Sequence, residues 1–262
     1  MADQQRFKNR AQAGKLLSKQ LAPYANAAHA AHAAHAHASS AHPSGAHTSE
    51  VHPPDTHSRG AIVLALPRGG VPVAFAVATA LGLELDLLLV RKLGLPYQPE
   101  FAIGAVGSGG VRVLQPGMPG LMGVTQEEVD AITARELAEI ARRARLYRGG
   151  RPEPALAGRD VIIVDDGIAT GSTMAAAVHI ARQRQAARVI VAVPVAPPDT
   201  LERLAPGVDE LVCLASPLRF RAVSQWYDTF DQTSDEEVQD LLAMAWSTQA
   251  HRSLDRQPNG KD

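Results

Sequence analysis

Two adjacent carboxylates followed by a hydroxyl-rich glycine turn, Asp165-Asp166-Gly167-Ile168-Ala169-Thr170-Gly171-Ser172-Thr173, form the stretch of this 262-residue chain best equipped for chemistry. Backbone N–H groups at the start of a helix lack intrahelical partners and carry the positive end of the dipole. Ala169 to Thr173 can therefore cradle a phosphate, with the hydroxyls of Thr170, Ser172 and Thr173 adding donors. Asp165 and Asp166 then stand within reach of the hydroxyls of a ribose attached to that phosphate. The turn lacks the Gly-x4-Gly-Lys spacing of a P-loop, which argues against nucleoside triphosphate hydrolysis. A second turn, Pro67-Arg68-Gly69-Gly70, joins a permanent cation suited to phosphate oxygens to two residues whose missing Cβ permits close backbone approach.

The flanking residues say how these turns are held. Val161 to Val164 reads as a buried parallel strand and Ser172 onward as the helix after it; Ala61 to Leu66 and Val71 to Leu81 repeat the pattern around the second turn. Both turns thus fall at the carboxyl ends of strands, where open α/β sheets bind ligands. Leu85 to Val90 predicts a strand ending in Arg91-Lys92, a basic pair that either meets an anion or is surface charge at a strand exit. Leu93 to Gly123, rich in glycine and proline around the apolar pieces Ala102 to Val106 and Val111 to Leu114, predicts a flexible loop able to close over a site, with Glu100 a solvated loop acid. Thr125-Gln-Glu-Glu128 is a capping box opening a helix to about Tyr147, whose Arg142, Arg143, Arg145 and Arg148 suit a solvated C-terminal end. Strands at Val189 to Pro194 and Glu210 to Leu214 flank a helix from Pro198 to Leu204, and a second capping box, Ser234 to Glu237, starts a terminal helix through Val238, Leu241, Leu242 and Ala245. Alternating strands and helices predict an α/β fold with a doubly wound, mostly parallel sheet flanked by helices.

The strand, acidic pair and Gly-Ile-Ala-Thr-Gly-Ser-Thr loop together resemble the phosphoribosyl-pyrophosphate (PRPP) motif of type I phosphoribosyltransferases. The resemblance runs from about Ala61 to Tyr227, nearest to a branch with Pro-Arg-Gly-Gly and Asp-Asp-Gly-x-Ala-Thr-Gly loops and no settled acceptor. It implies that Asp165 and Asp166 hold the ribose 2′ and 3′ hydroxyls and that Gly167 and Ala169 to Thr173 hold the 5′-phosphate. Arg68, Gly69 and Gly70 would form the pyrophosphate loop, often with a non-proline cis peptide, and Arg68 and Lys92 would balance the departing pyrophosphate. Mg²⁺ would be held mainly by the substrate, without dedicated protein ligands. Two departures are Gly167, where the family usually has an aliphatic residue, and Ala169, where purine-salvage members place an aspartate against the ring. The family also builds a small hood over the base. Trp226 and Tyr227, in the aromatic cluster with Phe220 and Phe230, are the stacking candidates, packing of the terminal helix being the other account of them.

The implied activity is transfer of ribose 5-phosphate from PRPP to a nitrogenous base with release of pyrophosphate; the rival is a PRPP-sensing regulator, RNA-binding in one form, without significant turnover. A formal net charge of −1 weighs against nucleic acid, and no stretch approaches a membrane span. The single cysteine, Cys213, reads as a buried filler and suits a reducing cytoplasm. Ala25 to Arg59 carries eight of the ten histidines in an Ala-His repeat that passes into Ser, Pro and Gly. It reads as a disordered low-complexity insert, or alternatively as a metal-binding face, which would make the chain a metal-handling protein. The expected organisation is a helix in 1–24 (Phe7, Ala11, Gly14, Leu17, Leu21) packing on the core, the insert at 25–59, the catalytic domain at 60–247 and a disordered tail at 248–262. A homodimer is an open arrangement.

Overall fold

The computed structural model describes residues 6–25, 60–95, 97–98 and 101–254. The expected insert lies outside these residues except for Ala25, and so do Glu100 and 255–262. In chain order the strands are β1 (Ala61–Ala65), β2 (Glu84–Leu87), β3 (Val90–Gly94), β4 (Ala102–Gly107), β5 (Arg112–Leu114), β6 (Asp160–Val164), β7 (Arg188–Val195) and β8 (Glu210–Ala215). The helices are α1 (Arg10–Gln20), α2 (Gly70–Leu81), α3 (Met118–Leu121), α4 (Gln126–Arg148), α5 (Ser172–Gln183), α6 (Pro198–Leu204) and α7 (Asp235–Leu254).

Five strands form one parallel sheet in the order β2-β1-β6-β7-β8. Strand residues alternate between two apolar layers. Ile62, Leu64, Val161, Ile163, Val189 and Val191 pack with Met174, Ala177 and Ile180 of α5. Val63, Ala65, Ile162, Val164 and Ile190 pack with side chains of α1, α2, α4 and α7. Burial on both faces explains why the strands read as continuous hydrophobic runs. The result is the doubly wound α/β architecture that the sequence predicts.

Three expectations are corrected. The segment after α2 does not form one strand over Leu85 to Val90. The ladder between β2 and β1 ends at Ala65↔Leu87, because β1 runs into Pro67, which has no N–H to donate. After Leu88 and Leu89 the chain joins a second sheet, β3-β4-β5, which is antiparallel. The glycine-rich segment expected as a flexible loop supplies β4 and β5 of that sheet, anchored by buried Leu93, Ile103 and Val106 and resting on α4 and α5. The terminal helix continues to Leu254, so the first residues of the expected tail are helical.

Candidate active site

The ladder between β1 and β6 places Ala65 opposite Val164, and Leu66 N donates to Val164 O at 3.0 Å. The two turns therefore leave the sheet side by side, where the strand order reverses and doubly wound sheets open a crevice. The first turn contains a cis peptide between Pro67 and Arg68. A Cβ at Gly69 would fall inside the Asp166 carboxylate, and one at Gly70 would lie 2.7 Å from Val164 O. Only residues without side chains let this turn lie directly on the acidic pair. Arg68 points Nη1 to 3.6 Å from Asp235 Oδ1, in the first turn of α7.

The second turn is held from behind and open in front. Thr200 of α6 donates from Oγ1 to Ala169 O at 2.9 Å and accepts from Arg203 Nη2 at 2.7 Å. Gly171 has φ 78° and caps α5, in a left-handed conformation that disfavours a side chain, and a Cβ there would meet Thr200 Cγ2 at 2.8 Å. Ala169, Thr170 and Thr173 are exposed, with the Thr170 and Ser172 hydroxyls 3.0 Å apart. Helical bonding begins with Ala175 N donating to Gly171 O, so the amides of residues 172–174 precede it, as an anion cradle requires. The glycine at 167 has a local reason: a Cβ would come within 2.6 Å of Val223 Cγ1.

Between the turns sits the acidic pair. Asp165 Oδ1 accepts from Asp166 N at 2.9 Å. Burial, and then the neighbouring Asp166 charge, push the Asp165 carboxyl well above the usual carboxylate range. Burial raises Asp166 as well, and Arg10 opposes the rise. Arg10 Nε reaches Asp166 Oδ2 at 2.8 Å, with the two side chains only 12% and 13% exposed. The same guanidinium donates from Nη1 to Asp231 O at 2.6 Å and lies 3.9 Å from the centre of the Phe230 ring. A cleft adjoins both turns, lined by Pro67, Thr173 and Leu66 and by Arg91 of β3 with Ile140 and Arg143 of α4.

The structure brings together Arg68, Gly69, Gly70, Asp165, Asp166, Gly167 and Ala169 to Thr173. It separates Lys92 from them. Neighbouring strand residues face opposite sides, so the cleft receives Arg91, held 2.9 Å from Glu136, while Lys92 is exposed on the other face of β3. Trp226 and Tyr227 are also corrected: they are 5% and 1% exposed and belong to the core. Phe7 lies along them, its N donating to Trp226 O and its O accepting from Asp228 N, both at 2.8 Å, and its ring stands 5.5 Å from that of Tyr227. With its faces covered in this way, Tyr227 donates its hydroxyl to Asp166 O at 2.6 Å and supports the acidic turn rather than a ligand. Burial and the Asp166 charge raise its phenol pKa.

Sequence reasoning missed Arg10 and Arg143. No motif marks Arg10. Arg143 was readable, since it follows buried Ile140 by one helical turn and so shares its face. Arg148, expected at a solvated helix end, is instead buried against Asp86 at 2.7 Å, its Nη2 donating to Leu87 O at 2.6 Å. Cys213 is half-buried, and burial raises its thiol pKa. Among the described residues no group of three or more His, Cys, Asp and Glu could hold a metal, and no helix is long and apolar enough to cross a membrane.

Residues 44–215 match the model of the phosphoribosyl transferase domain. The chain belongs to that family. Two Mycobacterium tuberculosis proteins, from strains CDC 1551 / Oshkosh and ATCC 25618 / H37Rv and each named "Putative phosphoribosyl transferase", are 49% identical over 196 residues. That span is 75% of this chain and 43% of theirs, so the chain matches less than half the length of these curated relatives. The crystal structure of the protein TT1426 from Thermus thermophilus superposes with a TM-score of 0.72 at 40% identity, covering 91% of this chain and 98% of that one. Arg10, Tyr227, Phe230 and Asp231 all lie outside the matched span.

Proposed function

We propose that the protein transfers ribose 5-phosphate from PRPP to a nitrogenous acceptor and releases pyrophosphate. The observation that carries this reading is the packing of the Arg68–Gly70 turn directly onto Asp166, beside an open phosphate cradle at Ala169–Thr173. One ligand with a 5′-phosphate, two ribose hydroxyls and a pyrophosphate would span all three elements. The acceptor nitrogen forms a bond to the anomeric carbon as the bond to pyrophosphate breaks, and the electron pair leaves with the pyrophosphate. Positive charge develops on the sugar, where Asp165 and Asp166 fix the hydroxyls and offset it. Arg68 and the cleft-lining Arg91 and Arg143 would face the departing anion.

Magnesium suits this donor set, which consists of carboxylate and hydroxyl oxygens. Asp165 and Asp166 alone are too few to cage the ion, so it would ride on the pyrophosphate and ribose oxygens, with the pair beside it, and neutralise the leaving group there. Ala169 gives no carboxylate to a purine ring, so hypoxanthine and guanine are expected to be poor acceptors. The test is to incubate the protein with PRPP, Mg²⁺ and a panel of bases and follow pyrophosphate release. Release with one base supports transfer. Tight PRPP binding without release for any base would favour the PRPP-sensing reading instead.

A further inference from the structure

We infer that Arg10 is the positioning residue that holds Asp166 ready for the ribose, a role assigned by neither the sequence motif nor the family match. The inference rests on the proposed binding of PRPP.

Asp166 occupies a confined place. Its carboxylate fills the space over Gly69, its backbone carbonyl is fixed by the Tyr227 hydroxyl, and it stands next to a second carboxylate. A carboxylate removed from water beside another acid requires a compensating cation and a defined hydrogen bond. Arg10 supplies both through Nε, at 2.8 Å from Oδ2. A carboxylate has two oxygens and about four acceptor sites, so this bond orients the group and leaves Oδ1 for a sugar hydroxyl.

Arg10 is itself fixed on three sides. The guanidinium lies on the Phe230 ring and donates to Asp231 O while gripping Asp166. A planar fork can meet all three, whereas an ammonium is a point charge with no flat face to stack. The backbone is anchored as well. Phe7 forms a bridge to Tyr227, Thr229 N donates to Lys8 O at 3.1 Å, and Asn9 caps α1 by accepting from Gln12 N at 2.9 Å, which sets Arg10 as the first helical residue. A surface arginine pairing by chance would not need this scaffold.

The test uses the full chain and titration calorimetry with two ligands in the presence of Mg²⁺: PRPP, and inorganic pyrophosphate, which has no ribose. Arg10→Ala is expected to weaken PRPP about tenfold or more, the loss of a charge-assisted contact, while pyrophosphate binding stays within about twofold. Arg10→Lys should recover part of the loss. On an Asp166→Asn background, Arg10→Ala should cost little further. Should Arg10→Ala fail to fold, Arg10→Lys carries the same comparison, with a smaller loss for PRPP and none for pyrophosphate. Equal PRPP affinity in wild type and Arg10→Ala overturns the assignment, as does a parallel loss of both ligands, which would mark a purely structural role. A wild-type protein that binds pyrophosphate but not PRPP overturns the underlying reading, and the role of Arg10 with it.

Discussion

The two glycine turns at the head of the sheet solve opposite problems. The one after β1 is closed: Gly69 and Gly70 are pressed against Asp166 and Val164, and Arg68 is engaged with Asp235. The one after β6 is open: Thr200 fixes it from the rear while Ala169, Thr170 and Thr173 face solvent. Glycine serves contact in the first and backbone conformation in the second. In the proposed function, a preformed wall and an exposed cradle, built on adjacent strands in register, would receive an extended anionic ligand with little of the site left to order.

The sharpest way to break this contrast is Gly69→Ala. The new methyl must displace the Asp166 carboxylate, so PRPP affinity should fall about a hundredfold or more and stability by about 1–3 kcal/mol, the usual cost of overpacking. Calorimetry and urea melts measure the two effects; unchanged binding would mean that the contact between wall and acid is incidental. Gly171→Ala should cost about 1–2 kcal/mol through its left-handed backbone, with a smaller loss of affinity and no displacement of Asp166.

Asp165→Asn should act in the opposite direction on stability. The folded-state pKa of Asp165 is raised, so whatever the group contributes is present below the ordinary aspartate range and lost as pH rises through the folded value. Replacing it should therefore raise Tm at pH 8 by about 2–4 °C, with the gain vanishing near pH 3, while PRPP binding is lost. A Tm gain that does not depend on pH would show that charge is not the cause. The smallest effect belongs to the open turn: Thr173→Ala should leave stability within about 0.5 kcal/mol and weaken PRPP about two- to tenfold, as removal of one hydroxyl donor predicts.

What could be read in advance follows from how local each signal is. The core strands, the helices after both turns and the Thr125 capping box are encoded within a few residues, and the observed bounds agree closely, as at Pro198–Leu204. The acidic turn and the Arg68 turn were legible because their residue types sit together in sequence. The antiparallel β3-β4-β5 sheet was not, since short glycine-containing strands carry little periodicity and acquire their pairing only from partners and from α4 and α5. Lys92 and Arg91 both offer a cation, and only the pleat of β3 decides which one faces the cleft. The aromatic cluster read as a stacking wall because sequence could not show Phe7 lying across Trp226 and Tyr227, from the far end of the chain.

That long-range seam has a bearing on how the molecule is made. Arg10 meets Asp166 across 156 positions and Asp231 across 221. At synthesis rates of about 5–20 residues per second, the amino-terminal segment waits about 10–40 s after emerging before its last partner exists. During that interval Asp166, at the end of β6, is made before Phe230 and Asp231, which fix the Arg10 guanidinium against it. The full set of contacts that fixes Arg10 against Asp166 is therefore expected only once the segment carrying Phe230 and Asp231 has been made.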